Sequence, residues 1–593
     1  MDHHLANLRQ RELKLNQKRK DILAQDSQAA LDTILDDPSP AVLIQSFPDE
    51  DLYYLMNHIG PADFLPILSR ATSTQWEYIL DMEVWDGDRL DNRVMTQALD
   101  LLFQADPERL LRWIVKEKPG YFESYLYQNM EIVVREHDEL PPEDHQDYIT
   151  IDDKFYFRFP QLKTEEEDKE ETENAEDGGS GNDQAEETAE LIEKMVKKLA
   201  EMDLSVYHGL LLETQALLPA EVEEEEFRLK NVRLAEKGFL PPHEAVGIYQ
   251  PAPVKNLRER PDVPGPTEED FDPNQPLPPQ CFSQFLTGDS LFVKALALVG
   301  TDLKLQMESE LAALVNKVIS ADRIKIRDKE SLEGVLAQTT AYLSLGLEII
   351  AEDLAHGRSM ADISLEETAT VLNRYFLEDL FRTGSRAGIL LKQKAARWYA
   401  DSYMSKESLP LSFMGETYLG VLGGLFLERP RAFDNYQTTP DLYAHFSTLS
   451  QVETSRQRMD EILALDPLLH ALSPEIAKFK QGVLTYKSLL LSLWARERMD
   501  LEVTLAPIPM DEFTPFFHAL FAGDTQGEID TFKRQDFLDW CLAGLNRAAE
   551  TPLAELPADL ARALTLILDE LCEEYGSISS PDPRYIPHFL LEK

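Results

Sequence analysis

The segment FRTGSRAGILLKQKAAR, Phe381 to Arg397, holds Arg382, Arg386, Lys392, Lys394 and Arg397 and no acid, in a chain whose formal net charge is −49. Guanidinium and ammonium groups at this density suit a phosphate-bearing ligand, a nucleic acid or an acidic protein surface. The plainer alternative is that they pair with acids on neighbouring helices. Three carboxylate–histidine pairs, Asp353/His356, Asp441/His445 and Asp466/His470, have helical spacing. Each pair could share a helix face and hold a metal if a second helix supplied further ligands. With 12 histidines among 107 acids, chance pairs of this kind are expected, so no metal site is assigned. Phosphate-cradling glycine motifs, a nucleophile elbow and the H-E-x-x-H pattern are all missing, and His243-Glu244 runs on into Ala-Val-Gly. The three cysteines, Cys281, Cys541 and Cys572, have neither C-x-x-C nor zinc-ligand spacing. That usage argues against a disulfide framework and for a reducing compartment. No cofactor is expected.

The elements around these residues read as helices. Between Leu8 and Lys20 lie six basic residues and one acid, a basic leading helix over 1–40 that could fold back on acidic segments or meet a partner. Over 41–160, short units such as FPDEDLYYLMNHIG, TSTQWEYILDM and ADPERLLRWIV open on Pro, Ser or Thr, then an acid or amide, then apolar residues at helical spacing. This is helix-start chemistry. It places the acid-rich opening turns outside and Leu, Ile, Trp and Tyr inside. Helices this short bury their apolar face only by stacking, which predicts a superhelical repeat domain. The run YITIDDKFYFRF, 148–159, alternates instead and predicts a small β-hairpin closing that domain.

Residues 164–190 contain thirteen acids, one lysine and a Gly-Gly-Ser-Gly core. An acidic disordered linker is expected over 161–190, because nothing there offsets ordering entropy. Loose gathering of divalent ions is conceivable for such a run, but the ligand pattern of a calcium loop is missing. Helical pattern returns over 191–250 and is expected to pack on the N-terminal domain. Nine prolines over 251–280 predict an extended connector, and 281–593 a larger C-terminal helical domain. The fold class is all-α and multi-helical. Gly420, Gly423 and Gly424 sit in an apolar run, where close helix packing is the natural use. The most apolar stretch, Leu409 to Leu427, is too broken to cross a bilayer.

The runs FRLKNVRLAEKGFLPPHEAVGIYQP (Phe227 to Pro251), DLYYLMNHIG, WDGDRLD and LPLSFMGETYLGVLGGLFLERPRAF (Leu409 to Phe433) together resemble a bacterial protein family that carries only a domain-of-unknown-function label. The resemblance runs the length of the chain and implies no catalytic residue. The short helices of Pro48 to Val115 are also similar to the cytosolic N-terminal domain of MgtE-type magnesium transporters, which implies at most a shared fold.

The sequence assigns no function. It favours a non-enzymatic helical interaction or regulatory protein of the bacterial cytoplasm, working with protein partners; the acidity disfavours nucleic acid, and the oligomeric state is open. The alternatives are an enzyme with a site between C-terminal helices and a sensor of divalent ions or nucleotides.

Overall fold

A computed structural model describes residues 2–135, 148–160, 179–261, 279–284, 286, 288–326, 328–472, 484–522, 527–548 and 551–592. The protein is 68% helical and 4% strand, an all-α multi-helix fold with a few small ladders.

The N-terminal helices start where their local chemistry says. Thr72 and Gln75 form a reciprocal capping box at the head of Ser73–Glu83. Asp91 and Asp106 cap Asn92–Ala105 and Pro107–Glu117, the second with Pro107 in its first turn. Each cap satisfies N–H groups that the helix leaves unpaired. Trp76, Leu99, Leu111 and Ile114 then face a common core.

The acid-rich opening turns do not all stay outside. In Asp49–Ile59, Glu50 is 8% exposed and Asp51 fully buried. Asp51 accepts the backbone N–H groups of Gln280 and Cys281, from the far side of the proline-rich segment, at 2.8–3.0 Å. Burial outweighs those bonds and lifts its pKa to about 6. Asp81 is similarly buried, 2% exposed, and takes a two-pronged bond from Arg233. These acids went inside because long-range donors were waiting for them, which no local pattern announces.

The hairpin expected over 148–159 is present, as strands Ile149–Thr150 and Phe155–Arg158. A third strand, Glu131–Val134, lies on the other side of Phe155–Arg158, antiparallel, with Ile132 opposite Phe157. Two further ladders join Trp85–Asp86 to Arg89–Leu90 and Arg431–Phe433 to Tyr443–His445.

The acidic run expected to be a disordered linker lies partly at 161–178, outside the described residues. From Gly179 it is helix, continuing to Met202, and Leu191, Ile192, Met195 and Val196 of that helix are buried. Most of the proline-rich stretch, 262–278, also lies outside the described residues. Its first part is not a free connector. Arg258 holds the carboxylate of Asp379 at 2.9 Å, and Arg260 clasps Glu310 at 2.8 Å.

One hydrophobic core runs from Ile22 to Phe381 and a second from Leu345 to Leu591. They meet on two long helices, Lys329–Leu354 and Leu377–Asp401. Leu343 and Phe381 belong to the first core, Leu345 and Leu391 to the second. Where the helices cross, glycine faces backbone on both sides. A Cβ on Gly346 would overlap the Leu380 carbonyl, and one on Gly384 the Tyr342 carbonyl. Lys329–Leu354 is long and apolar enough to cross a membrane by composition, but 72% of its apolar window is buried inside the protein. It is the helix on which the cores are built. The run Leu409 to Leu427 contains the helix Gly415–Phe426, also packed in the second core.

Candidate functional site

The three clustered glycines position the site. Helix Gly415–Phe426 lies directly against the ladder Arg431–Phe433/Tyr443–His445 because it has no side chain there. A Cβ on Gly420 would overlap the Phe433 ring, on Gly423 the Tyr443 hydroxyl, and on Gly424 would come within 2.5 Å of the Arg431 carbonyl. The close packing expected of these glycines is therefore against a strand pair rather than a helix.

A polar knot fixes the start of that strand pair. Asp322, the last residue of helix Thr301–Asp322, accepts from Arg429 Nε at 2.8 Å, Tyr249 Oη at 2.7 Å and Gln338 Nε2 at 2.9 Å. The Arg429 guanidinium also lies 3.8 Å over the Tyr249 ring, a cation–π contact. Pro430 then turns the chain into Arg431. At the other end, Asp434 accepts from the N–H groups of Thr438 and Thr439 at 2.9 Å and from both hydroxyls. Desolvation opposes ionisation of Asp434, but these donors prevail and hold its pKa down to about 2. The cage orders the loop between the strands.

Between the first half of helix Lys329–Leu354, the strand pair and this loop opens a cleft of about 460 Å³, lined among others by Val335, Gln338, Arg431, Thr439, Asp441 and His445. The size is that of a small-molecule site. Arg431 is half-buried, and its guanidinium has no ion pair or hydrogen bond among the described residues. His445 stands opposite Arg431 in the ladder. Its ring meets Tyr342 edge-on at 6.1 Å, and its Nδ1 is buried with no hydrogen-bond partner. Burial, reinforced by the charge of Arg431 and opposed by Asp322, pushes the His445 pKa down to about 4. The imidazole is neutral at neutral pH.

That shift makes the fold acid-sensitive in a definite direction. Unfolded, His445 takes its proton near 6.5; folded, only near 4. As pH falls through this window the unfolded chain binds a proton the folded one refuses, so stability is lost. His445→Gln is expected to recover about 2 kcal/mol relative to wild type between pH of about 7 and about 5, read from urea midpoints at the two pH values. Equal acid losses in both proteins would contradict this origin.

The other candidates fare differently. Asp441 and His445 do not share a helix face: one is in the loop, the other on a strand. Asp466 and His470 do share one, 3.6 Å apart, but Asp466 caps the turn at Tyr403 by accepting its N–H. Asp353 and His356 lie at an exposed helix end, where His356 takes a positive φ of 53°. Of the basic segment, Arg382 donates to the Gln250 carbonyl, Lys392 to those of Leu427 and Glu428, and Lys394 pairs with Asp460. Arg386 and Arg397 have no ion pair among the described residues. Among those residues no three His, Cys, Asp or Glu side chains converge as metal ligands.

Sequence reasoning missed Arg431, Gln338 and the Asp322–Arg429–Tyr249 knot. The signal available was the pair of arginines around Pro430, directly after the glycine-rich helix and before a short alternating run.

The family of unknown function DUF6178 matches residues 7–592. The chain belongs to this family. No curated protein and no solved structure matches it. Membership in DUF6178 supports the full-length resemblance noted from the sequence and gives none to the likeness with magnesium transporters.

Proposed function

We propose that this DUF6178 chain is a non-enzymatic, ligand-responsive helical protein, and that its ligand is a small anion held by Arg431. The observation that carries the reading is the unpaired guanidinium in a cleft. The chain has 107 acids for 58 basic residues, and three other half-buried arginines near the cores are matched: Arg233 with Asp81, Arg260 with Glu310, Arg429 with Asp322. A half-buried cation with no partner costs desolvation energy, and an arriving carboxylate or phosphate supplies the two-pronged acceptor that guanidinium geometry favours. The cleft's hydroxyls on Ser331 and Thr439 are engaged in local bonds to Asp328 and Asp434 that fix a helix start and a loop, which supports binding rather than turnover. As a regulatory protein it would pass its liganded state to a protein partner in the cytoplasm, where its three unpaired thiols would stay reduced.

The test is thermal unfolding of the full chain with acetate, inorganic phosphate, citrate and amino-acid probes. A ligand that engages the folded state at a hundredfold excess over its dissociation constant stabilises it by about 2.7 kcal/mol. Arg431→Gln should abolish that gain while leaving the unliganded melting point close to wild type. Protection that survives in Arg431→Gln, or protection by no anion at all, would refute the reading.

A further inference from the structure

The same cleft carries a second unpaired charge. Asp441 lines it with Arg431, and its carboxylate has no hydrogen-bond or ion-pair partner among the described residues. Its backbone is nevertheless tethered, because the Thr439 hydroxyl accepts its N–H at 3.4 Å, while Asp434 holds Thr439 from the other side. The carboxylate is thus presented on an ordered loop with nothing to bind.

Arg431 and Asp441 do not neutralise one another because they stand at opposite ends of the ladder. Arg431 faces His445 at its open end, whereas Asp441 lies beyond Tyr443, the last residue paired at the loop end. Asp441 and His445 are four positions apart, and the chain bends at Asp441 and Leu442 before it enters the strand at Tyr443. The cleft wall also carries the apolar side chains of Ile324, Val335 and Ala337, beside the polar Ser331 and Gln338. His445 adds a neutral ring whose Nδ1 is unsatisfied.

We infer that the cleft takes a linear zwitterion, with its carboxylate on Arg431, its ammonium on Asp441 and a short chain between them lying on the apolar wall. A dipeptide and an ω-amino acid share this chemistry. A free α-amino acid does not, because its ammonium and carboxylate share one carbon and reach only one end of the cleft. The inference rests on the anion reading above and adds the ammonium site. An ammonium group suits a carboxylate acceptor, which Asp441 provides; a carboxylate suits a planar double donor, which arginine provides.

Isothermal titration of the full chain with L-alanyl-L-alanine, 5-aminopentanoate, L-alanine, propionate and inorganic phosphate tests it. At least one of the first two should bind about tenfold or more tighter than the other three, a difference of about 1.4 kcal/mol. Tight binding of the dipeptide alone would assign a peptide, and of 5-aminopentanoate alone an ω-amino acid. Asp441→Asn, isosteric and on the surface, should erase this preference, with propionate and phosphate bound no more weakly than by the wild type. Arg431→Gln should weaken all the probes. If propionate or phosphate binds as tightly as the zwitterions, or if the preference survives in Asp441→Asn, the ammonium site is wrong and the anion site stands. If no probe binds, or if Arg431→Gln binds every probe as the wild type does, both are wrong.

Discussion

Gly384→Ala is expected to destabilise the protein by about 3 kcal/mol, the upper end of what overpacking costs, because the added methyl group meets main chain that has no rotamer to escape into. The new Cβ would overlap the Tyr342 carbonyl oxygen and lie 2.9 Å from the Gly346 nitrogen. Helices Lys329–Leu354 and Leu377–Asp401 would have to move apart along their crossing. Since Leu343 and Phe381 serve one core and Leu345 and Leu391 the other, separation loosens both. The control is Gly209→Ala in helix Leu204–Gln215, where a Cβ meets nothing within 4 Å. There the helix propensity of alanine should add about 0.5–1 kcal/mol of stability. Urea midpoints of the two variants should therefore move in opposite directions. A shift of the same sign and size in both would show that the glycine crossing has no special role.

Arg233→Met should cost about 3–5 kcal/mol, because it strands a buried carboxylate. Asp81 is 2% exposed and takes Nε and Nη2 of Arg233 at 2.8 Å each. Without them it retains the Tyr121 hydroxyl, at 3.1 Å, and faces Glu77, which also contacts Arg233. The arginine comes from helix Pro219–Glu236 and the acid from helix Ser73–Glu83, so the pair ties together segments 152 residues apart. The double variant Asp81→Leu/Arg233→Met should recover most of the loss, since an apolar pair carries no desolvation penalty. A double variant as unstable as the sum of the two single ones would mean that the sites act independently, against the geometry.

The helices were legible because their starts are local. Thr72 with Gln75, and Asp106 before Pro107, carry their own hydrogen-bond logic within four residues, and the structure places the helix heads there. Phe155 and Phe157 announced a strand by alternation. Glu131–Val134 did not, since a short strand of Ile and Val after a helix end reads equally well as a final helical turn. The site was half legible. Asp441 and His445 stood out as residue types, but their spacing suggested one helix face, whereas Asp441 is in a loop and His445 on a strand. Arg431 was passed over for the denser basic run Arg382–Arg397. Charge density in sequence does not report which cations find acids in space: Lys394 meets Asp460 from another helix, while Arg431 meets none among the described residues. The burial of Asp51 and Asp81 was illegible for the same reason, their donors lying 229 and 152 residues away.

The hydroxyl and amide cage around Asp434 bears on timing. The loop that presents Asp441 is already closed, so no ordering step separates encounter from capture. Association with a small solute should be a single exponential whose rate rises linearly with concentration, without the plateau that a gating motion imposes. Discrimination between solutes would then be written in residence time. A response built on such a site follows falling concentrations only as fast as the slowest-leaving solute departs, and so would retain a short memory of the best-fitting molecule it last met.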